Sequence, residues 1–314
     1  MSFIKWMGGK SKVLHLFKDY FPANFKGYIE PFLGGGSVFF YLKENGYLND
    51  IPVYLSDINN ELIITYKVVR DNLQELIPLL EDHEKLNSNE HYNKIKKIFP
   101  PGIGMTDIEK AATFIYLMNN AMAGRWLLHK DGTCANQYVG DKYKETVIKD
   151  DLFKCSQLLK GIDIRCYSFE KILDLEKEIG SMKGYYVYFD PPYYGVTHQQ
   201  QRSKGILKNI KRPSQTNISG DPYEDLMRKF NIDVEAYVES NNDFSVNSQM
   251  KIPKVFKELD NRGCKVMMSN SDSGTTRHYL KDYNIIQIET NRRNIDLKDI
   301  TKKSVNSAQK WTEV

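Results

Sequence analysis

Tyr28-Ile29-Glu30 runs into Pro31-Phe32-Leu33-Gly34-Gly35-Gly36-Ser37, and the apolar run Val38-Phe39-Phe40-Tyr41-Leu42 follows, closing at Asn45-Gly46. A short strand, a Gly-rich turn and an apolar helix form the entry to a βαβ unit, whose glycines let a ligand approach the main chain. Val53-Tyr54-Leu55-Ser56 reads as the second strand and ends in Asp57, where an acid can take both hydroxyls of a ribose. This pattern points to an α/β fold. It leaves two readings of the turn: a nucleoside-type cofactor, or glycines that serve packing only. The glycines are consecutive, not G-x-G-x-x-G, which disfavours a dinucleotide and with it an NAD-dependent oxidoreductase. Glu30 would repel a pyrophosphate but could face a cation, such as the amino group of a methionine moiety.

Tyr185-Tyr186-Val187-Tyr188-Phe189 reads as a buried strand, and Asp190-Pro191-Pro192-Tyr193-Tyr194 ends it. An acid at the carboxyl end of such a strand is where open α/β sheets keep their chemistry. Asp190 and the Pro191 carbonyl can each accept a hydrogen bond from one amino group, and Tyr193 offers a ring face for a heterocycle. The alternative is an ordinary Asp-Pro turn.

The 314 residues suffice for one large domain, or one domain with an insertion. A net charge of +4 means that contacts to nucleic acid must come from local patches. Cys134, Cys155, Cys166 and Cys264 form no C-x-x-C pair, which argues against a zinc site or a disulfide framework and fits a reducing compartment. With no signal peptide and no long apolar run, a soluble intracellular protein is expected. Phe3-Ile4-Lys5-Trp6-Met7-Gly8-Gly9-Lys10 opens the chain and leads into a helical Leu14–Phe17; its Gly-Gly-Lys-Ser lacks the upstream glycine of a phosphate loop.

Between Asp71 and about Lys160 the βα rhythm stops. Leu73, Leu76, Ile77, Leu79 and Leu80 mark one helix face, and Thr106 with Glu109 forms a capping box for a helix through Leu117. Asp131-Gly132 is a hairpin turn, and the arms carry Asn120, Arg125, His129, Lys130, Asn136 and Gln137. Arg, Asn and Gln read base edges, although a solvated hairpin is the equal alternative. Strands are expected at 162–166, 265–270 and 283–288, with helices near 169–173 and 252–259. Residues 197–243 read as an insertion, basic at first (Arg202, Lys204, Lys208, Lys211, Arg212) and then acidic. The basic strip could clamp phosphates, or be a solvated loop. Asn291-Arg292-Arg293-Asn294 is a basic loop.

Lys5-Trp6-x-Gly8-Gly9-Lys10, Glu30-Pro31-Phe32-x-Gly34-x-Gly36-Ser37, Asp57-Ile58-Asn59, Asp190-Pro191-Pro192-Tyr193 and Met268-Ser269-Asn270 occur in this order. Together they resemble the Dam-type family of DNA adenine methyltransferases, the α-ordered group. The resemblance implies a Rossmann-like seven-stranded, mostly parallel sheet with one antiparallel strand and a helical and hairpin target-recognition domain. It divides the chain into a first catalytic part at 1–70, a target-recognition domain at 71–160 and a second catalytic part at 161–314. The implied cofactor is S-adenosylmethionine, with S-adenosylhomocysteine as product. Trp6, Lys10, Glu30, Phe32, Gly34 and Asp57 would line its pocket, Ser168 and Phe169 would flank its adenine, and Asp190 would touch both cofactor and target amine. Asp190, Pro191, Pro192 and Tyr193 would form the catalytic tip. Neither a metal nor a covalent nucleophile is required.

The implied partner is double-stranded DNA, contacted by Asn120, Arg125, Lys130, Asn136, Gln137, Arg202, Lys204 and Arg292, and a restriction endonuclease is a candidate counterpart. A cytoplasmic protein of bacterial or viral origin, without membrane association, is implied. The recognition hairpin departs from the family pattern: Met122-Ala123-Gly124 replaces Tyr-Asn-Gly, Tyr138 replaces a proline, and Leu127 and Leu128 fall where a base-reading arginine is usual. The target GATC is therefore not carried over. The alternatives are the same fold acting on cytosine in DNA or on RNA, and a non-catalytic DNA-binding module.

Overall fold

The computed structural model describes residues 2–99, 104–129, 134–140, 149–193, 246–272 and 274–288. The chain divides into two compact units, Met1–Asp190 with Leu259–Met267, and Pro191–Glu258 with Met268–Val314.

The first unit is built on a five-stranded sheet. In chain order it carries β1 (Tyr28–Glu30), α1 (Ser37–Glu44), β2 (Val53–Asp57), α2 (Asn60–Asp71), α3 (Leu73–Lys85), α4 (Asn89–Ile98), α5 (Asp107–Asn119), α6 (Lys149–Leu159), β3 (Asp163–Cys166), α7 (Glu176–Ile179), β4 (Tyr186–Phe189) and β5 (Lys265–Met268). The strand order is β3-β2-β1-β4-β5. Parallel registers set Tyr28 beside Val53 and Tyr186, and Asp57 beside Cys166. All four residues of β4 are buried, as expected of a strand covered on both faces.

Local chemistry sets the turns. Gly36 caps α1 at φ +64, and a Cβ there would lie 2.6 Å from the Tyr66 hydroxyl oxygen. Asn59 caps α2 by accepting from the Leu62 N–H at 2.8 Å. The predicted capping box forms at α5, where Thr106 and Glu109 exchange hydrogen bonds. Residues 111–119 of α5 are all buried, and the helix packs against α2 and α3. After it, antiparallel bridges join Ala121 to Tyr138 and Leu128 to Cys134, so the two expected hairpin arms do pair. The Asp131-Gly132 turn lies outside the described residues, as does the 197–243 insertion.

In the second unit α8 (Val246–Asn261, whose last three residues count with the first unit) packs Phe256 edge-on against Tyr283 at 5.0 Å. A short α9 (Gly274–Tyr279) follows. Pro191 is buried, Pro192 exposed and Tyr193 half-buried. Residues 283–288, expected as the last strand, have no strand geometry, and five strands rather than seven are present among the described residues. Three of those six residues are exposed and none is buried, so no buried face drives pairing. Among the described residues no helix is long and apolar enough to cross a membrane.

Candidate active site

From β1 the chain winds to β2 and β3 on one side, and β4 then lies on the other side of β1. Ligands of open α/β sheets bind outside the carboxyl ends of the strands at such a reversal. Two acids mark those ends: Glu30, the last residue of β1, and Asp190, which directly follows β4.

Lys10 holds Asp190. Its Nζ donates to Asp190 Oδ2 at 2.5 Å and to the Gly8 carbonyl at 2.8 Å, and the two side chains are only 8% and 19% exposed. Burial pushes the Asp190 carboxyl up, while the charge and hydrogen bond of Lys10 pull it down. Among the described residues no donor is found on Oδ1, which leaves that oxygen to accept from a ligand.

Glu30 is 2% exposed and accepts from the Tyr28 hydroxyl at 2.7 Å. Burial raises its carboxyl to about 8; the Tyr28 bond opposes this, Asp190 adds repulsion, and the Phe39 backbone and Lys10 pull it down. A largely neutral carboxyl at pH 7 beside an ion pair is poised to ionise when a cation arrives.

Asp57 closes β2. Its Oδ2 accepts from the Gly34 N–H at 2.9 Å and its Oδ1 from the Asn59 N–H at 3.0 Å, which leaves lone pairs on both oxygens for further donors. Burial raises this carboxyl, and the N–H groups of Asn59, Gly34 and Ile58 oppose it. Gly34 sits at φ +47 beneath the Trp6 indole, 2.9 Å from where a Cβ would be. Its carbonyl accepts from Tyr66 at 3.0 Å. Phe32 stacks on Phe169 at 5.1 Å, and Phe169 is itself buried. Ser168 donates to Glu170. The Trp6, Lys10, Glu30, Phe32, Gly34, Asp57, Ser168 and Phe169 of the sequence analysis thus all belong to one unit with Asp190. The donor set fits a nucleoside with a cationic tail: a strand-end carboxylate with spare lone pairs, an exposed glycine backbone at Gly8 and Gly9, and a buried acid.

Sequence reasoning did not single out the Ile58 N–H, which joins those of Gly34 and Asn59 at the Asp57 carboxyl. It also missed Asn119, whose Oδ1 accepts from the Lys5 N–H at 2.9 Å and whose carbonyl accepts from Lys5 Nζ at 2.6 Å. With the Met7 N–H donating to the Gly124 carbonyl at 2.9 Å, this ties the N-terminal motif to the hairpin.

On the hairpin, Arg125 and Gln137 are exposed. Asn120 and Asn136 are instead buried. Asn120 is fully buried and donates to the Tyr116 carbonyl at 2.9 Å; Asn136 is 2% exposed and accepts from the Leu127 N–H at 2.9 Å. The Asn136 amide holds the hairpin's main chain, and that of Asn120 ties back to α5. Lys130, Arg202, Lys204 and Arg292 lie outside the described residues.

Known proteins extend this picture. Residues 6–245 match the family model described as D12 class N6 adenine-specific DNA methyltransferase. The chain is similar to the Type II methyltransferase M1.LlaDCHI of Lactococcus lactis subsp. cremoris, with 29% identity over 295 residues, 93% of this chain and 88% of that protein. It is 32% identical over 286 residues to the Type II methyltransferase M.MjaIII of Methanocaldococcus jannaschii, covering 86% and 83%. The DNA adenine methylase of Salmonella typhi is 22% identical over 315 residues, covering 97% and 92%. The chain belongs to the D12 class of N6 adenine-specific DNA methyltransferases.

Proposed function

We propose that this enzyme methylates the exocyclic amine of an adenine flipped out of duplex DNA, using S-adenosylmethionine. The observation that carries this reading is the pairing of Glu30 and Asp190 at the sheet's reversal, with Asp190 held by a buried lysine. Asp57 takes the ribose hydroxyls, Glu30 meets the cationic amino group, and Trp6, Lys10, Phe32 and Gly34 line the pocket. Ser168 and Phe169 border the cofactor adenine. When bound, the cofactor supplies a methyl group already activated by its sulfonium.

The chain's task is then alignment. Asp190 Oδ1 and the Pro191 carbonyl accept the two hydrogens of the target amine and leave its lone pair for attack. Pro192 stiffens the loop, and Tyr193 stacks on the base removed from the duplex. Positive charge that grows on the nitrogen is stabilised by the Asp190 carboxylate, the Pro191 carbonyl and the Tyr193 ring face.

Residues 1–70 and 161–314 form the catalytic part and 71–160 the recognition part. Arg125 and Gln137 read bases, and Lys130, Arg202, Lys204 and Arg292 contact phosphates. The reading includes the family's seven-stranded sheet, an intracellular setting and pairing with a restriction endonuclease, in keeping with relatives named Type II methyltransferases. Transfer of labelled methyl groups to unmethylated duplex DNA, followed by sequencing of modified bases, tests it. Methyladenine confined to one short motif is expected. Binding of cofactor with transfer only to RNA or to cytosine would overturn it.

A further inference from the structure

Away from the methyl-transfer site, two imidazoles face each other. His83 lies in the last turn of α3 and His91 in the first turn of α4, and His83 Nδ1 is 3.0 Å from His91 Nε2. The connection is tight. Leu86 and Asn87 donate their N–H groups back to Asp82 and Glu84, and the Ser88 hydroxyl accepts from the His91 N–H at 3.1 Å. Tyr116 of α5 stacks on His83 with ring centroids 4.8 Å apart and an interplanar angle of 9°. The two nitrogens are therefore held in place by main chain and by a ring, not by long side chains.

We propose that His83 and His91 form a binding site for a divalent transition-metal ion. Imidazole nitrogens bind such ions at about 2.0–2.1 Å, and two of them 3.0 Å apart then subtend about 90° at the metal. That is the cis angle of octahedral or tetragonal coordination, which suits nickel(II) or copper(II) better than tetrahedral zinc. Metal binding moves the one shared N–H hydrogen to the remote ring nitrogen and leaves both lone pairs on the ion. No third His, Cys, Asp or Glu among the described residues completes a cluster, so the other positions are filled by water or by a ligand from solution. Both rings are only half-buried, which gives solvent access.

The site lies under the return arm of the recognition hairpin. Tyr116 and Tyr138 both donate their hydroxyls to Asn87 Oδ1, at 3.1 and 3.2 Å. An ion there would stiffen the α3–α4 turn on which Tyr138 rests.

Nickel(II) titrated calorimetrically into the full-length protein, freed of metal and of any affinity tag, is the test. One ion per chain is expected, with affinity at least about tenfold weaker in His83→Asn and in His91→Asn and unchanged in His278→Asn. Wild-type affinity in both single variants would overturn the proposal. A second readout uses only the unaltered protein: nickel should protect His83 and His91, but not the exposed His278, from acylation by diethyl pyrocarbonate. Equal labelling of His83 and His91 with and without nickel would refute the assignment.

Discussion

Replacing Glu30 by glutamine should make the cofactor-free protein more stable at neutral pH while weakening its hold on the cofactor. Glu30 is 2% exposed, and its carboxyl is raised from 4.5 to about 8. Between those two pH values the unfolded chain has lost a proton that the folded chain still carries. Stability therefore falls as pH rises through this window, and the loss is complete above the folded value. Each pH unit is worth about 1.4 kcal/mol, so the whole window sets an upper bound of about 5 kcal/mol, which residual structure in the unfolded state reduces to a few. Glutamine keeps the shape and can still accept from the Tyr28 hydroxyl, but it has no proton to lose. Calorimetric melting from pH 4.5 to 8.5 should give nearly equal midpoints at the acid end and a variant that melts higher, by on the order of 5 °C or more, at pH 8. Parallel curves would refute the reasoning, because Glu30 would then titrate as an ordinary surface acid. The second arm concerns binding. At pH 7 a cation meeting a neutral Glu30 drives its ionisation, so binding of S-adenosylmethionine to the wild type should release a proton that calorimetry in buffers of different ionisation enthalpy counts. Glu30→Gln should release none.

Asp190→Asn should reduce methyl transfer on the order of 10²–10³-fold, as loss of a charge-stabilising group does. It should also lower the melting temperature, because Lys10, 8% exposed, loses the charge of Asp190. The double variant with Lys10→Met should regain stability but not activity; a double variant as unstable as Asp190→Asn would rule out the ion pair as the cause. Lys10→Met alone removes what holds the Asp190 carboxyl down, so the acid limb of kcat/KM should move to higher pH, and an unmoved limb would show that Lys10 does not tune Asp190. Tyr193→Ala should lose roughly 1–3 kcal/mol of target-base engagement and Tyr193→Phe much less, measured as affinity for duplexes with a destabilised target pair; equal losses would implicate the hydroxyl. Thr106→Ala should destabilise α5 by about 1 kcal/mol in urea unfolding, and no change would mean that the capping box is dispensable.

The elements legible in the sequence were those with a strong local cause. β4 is a run of aromatic and β-branched residues stopped by two prolines, the α1 entry is set by glycines, and the start of α5 is set by a capping box. Helices α2, α4 and α6 went unread, α4 because its sequence carries no apolar stripe. It buries only Tyr92 along its ten residues and is fixed by the Ser88 cap and by Tyr116. The segment 283–288 shows the opposite error, in which a stretch expected as a strand has no buried face to hold it.

At the site, the acids could be found because each ends a strand, but their energetics could not. Nothing in the sequence distance between Lys10 and Asp190 announces a 2.5 Å contact, and so Asp190 reads as a strand-tip group whose removal spares the fold. The contact makes it half of a largely buried ion pair, so stability rests on the same carboxylate that is proposed for the chemistry. The hairpin teaches the converse. Asparagine reads base edges when exposed, and the sequence offers Asn120 and Asn136 on equal terms with Arg125 and Gln137. A buried amide must instead satisfy itself locally, and Asn136 does so on the Leu127 N–H. Leu127 stands where the resemblance puts a base-reading arginine, so under the proposed function Asn136 fixes the main chain at the reading position. Substituting Asn136 by alanine should therefore disturb sequence discrimination through the backbone of Leu127, with a loss of thermal stability, whereas Gln137→Ala should alter discrimination alone. A stable Asn136→Ala enzyme with relaxed specificity would instead place its amide against the DNA.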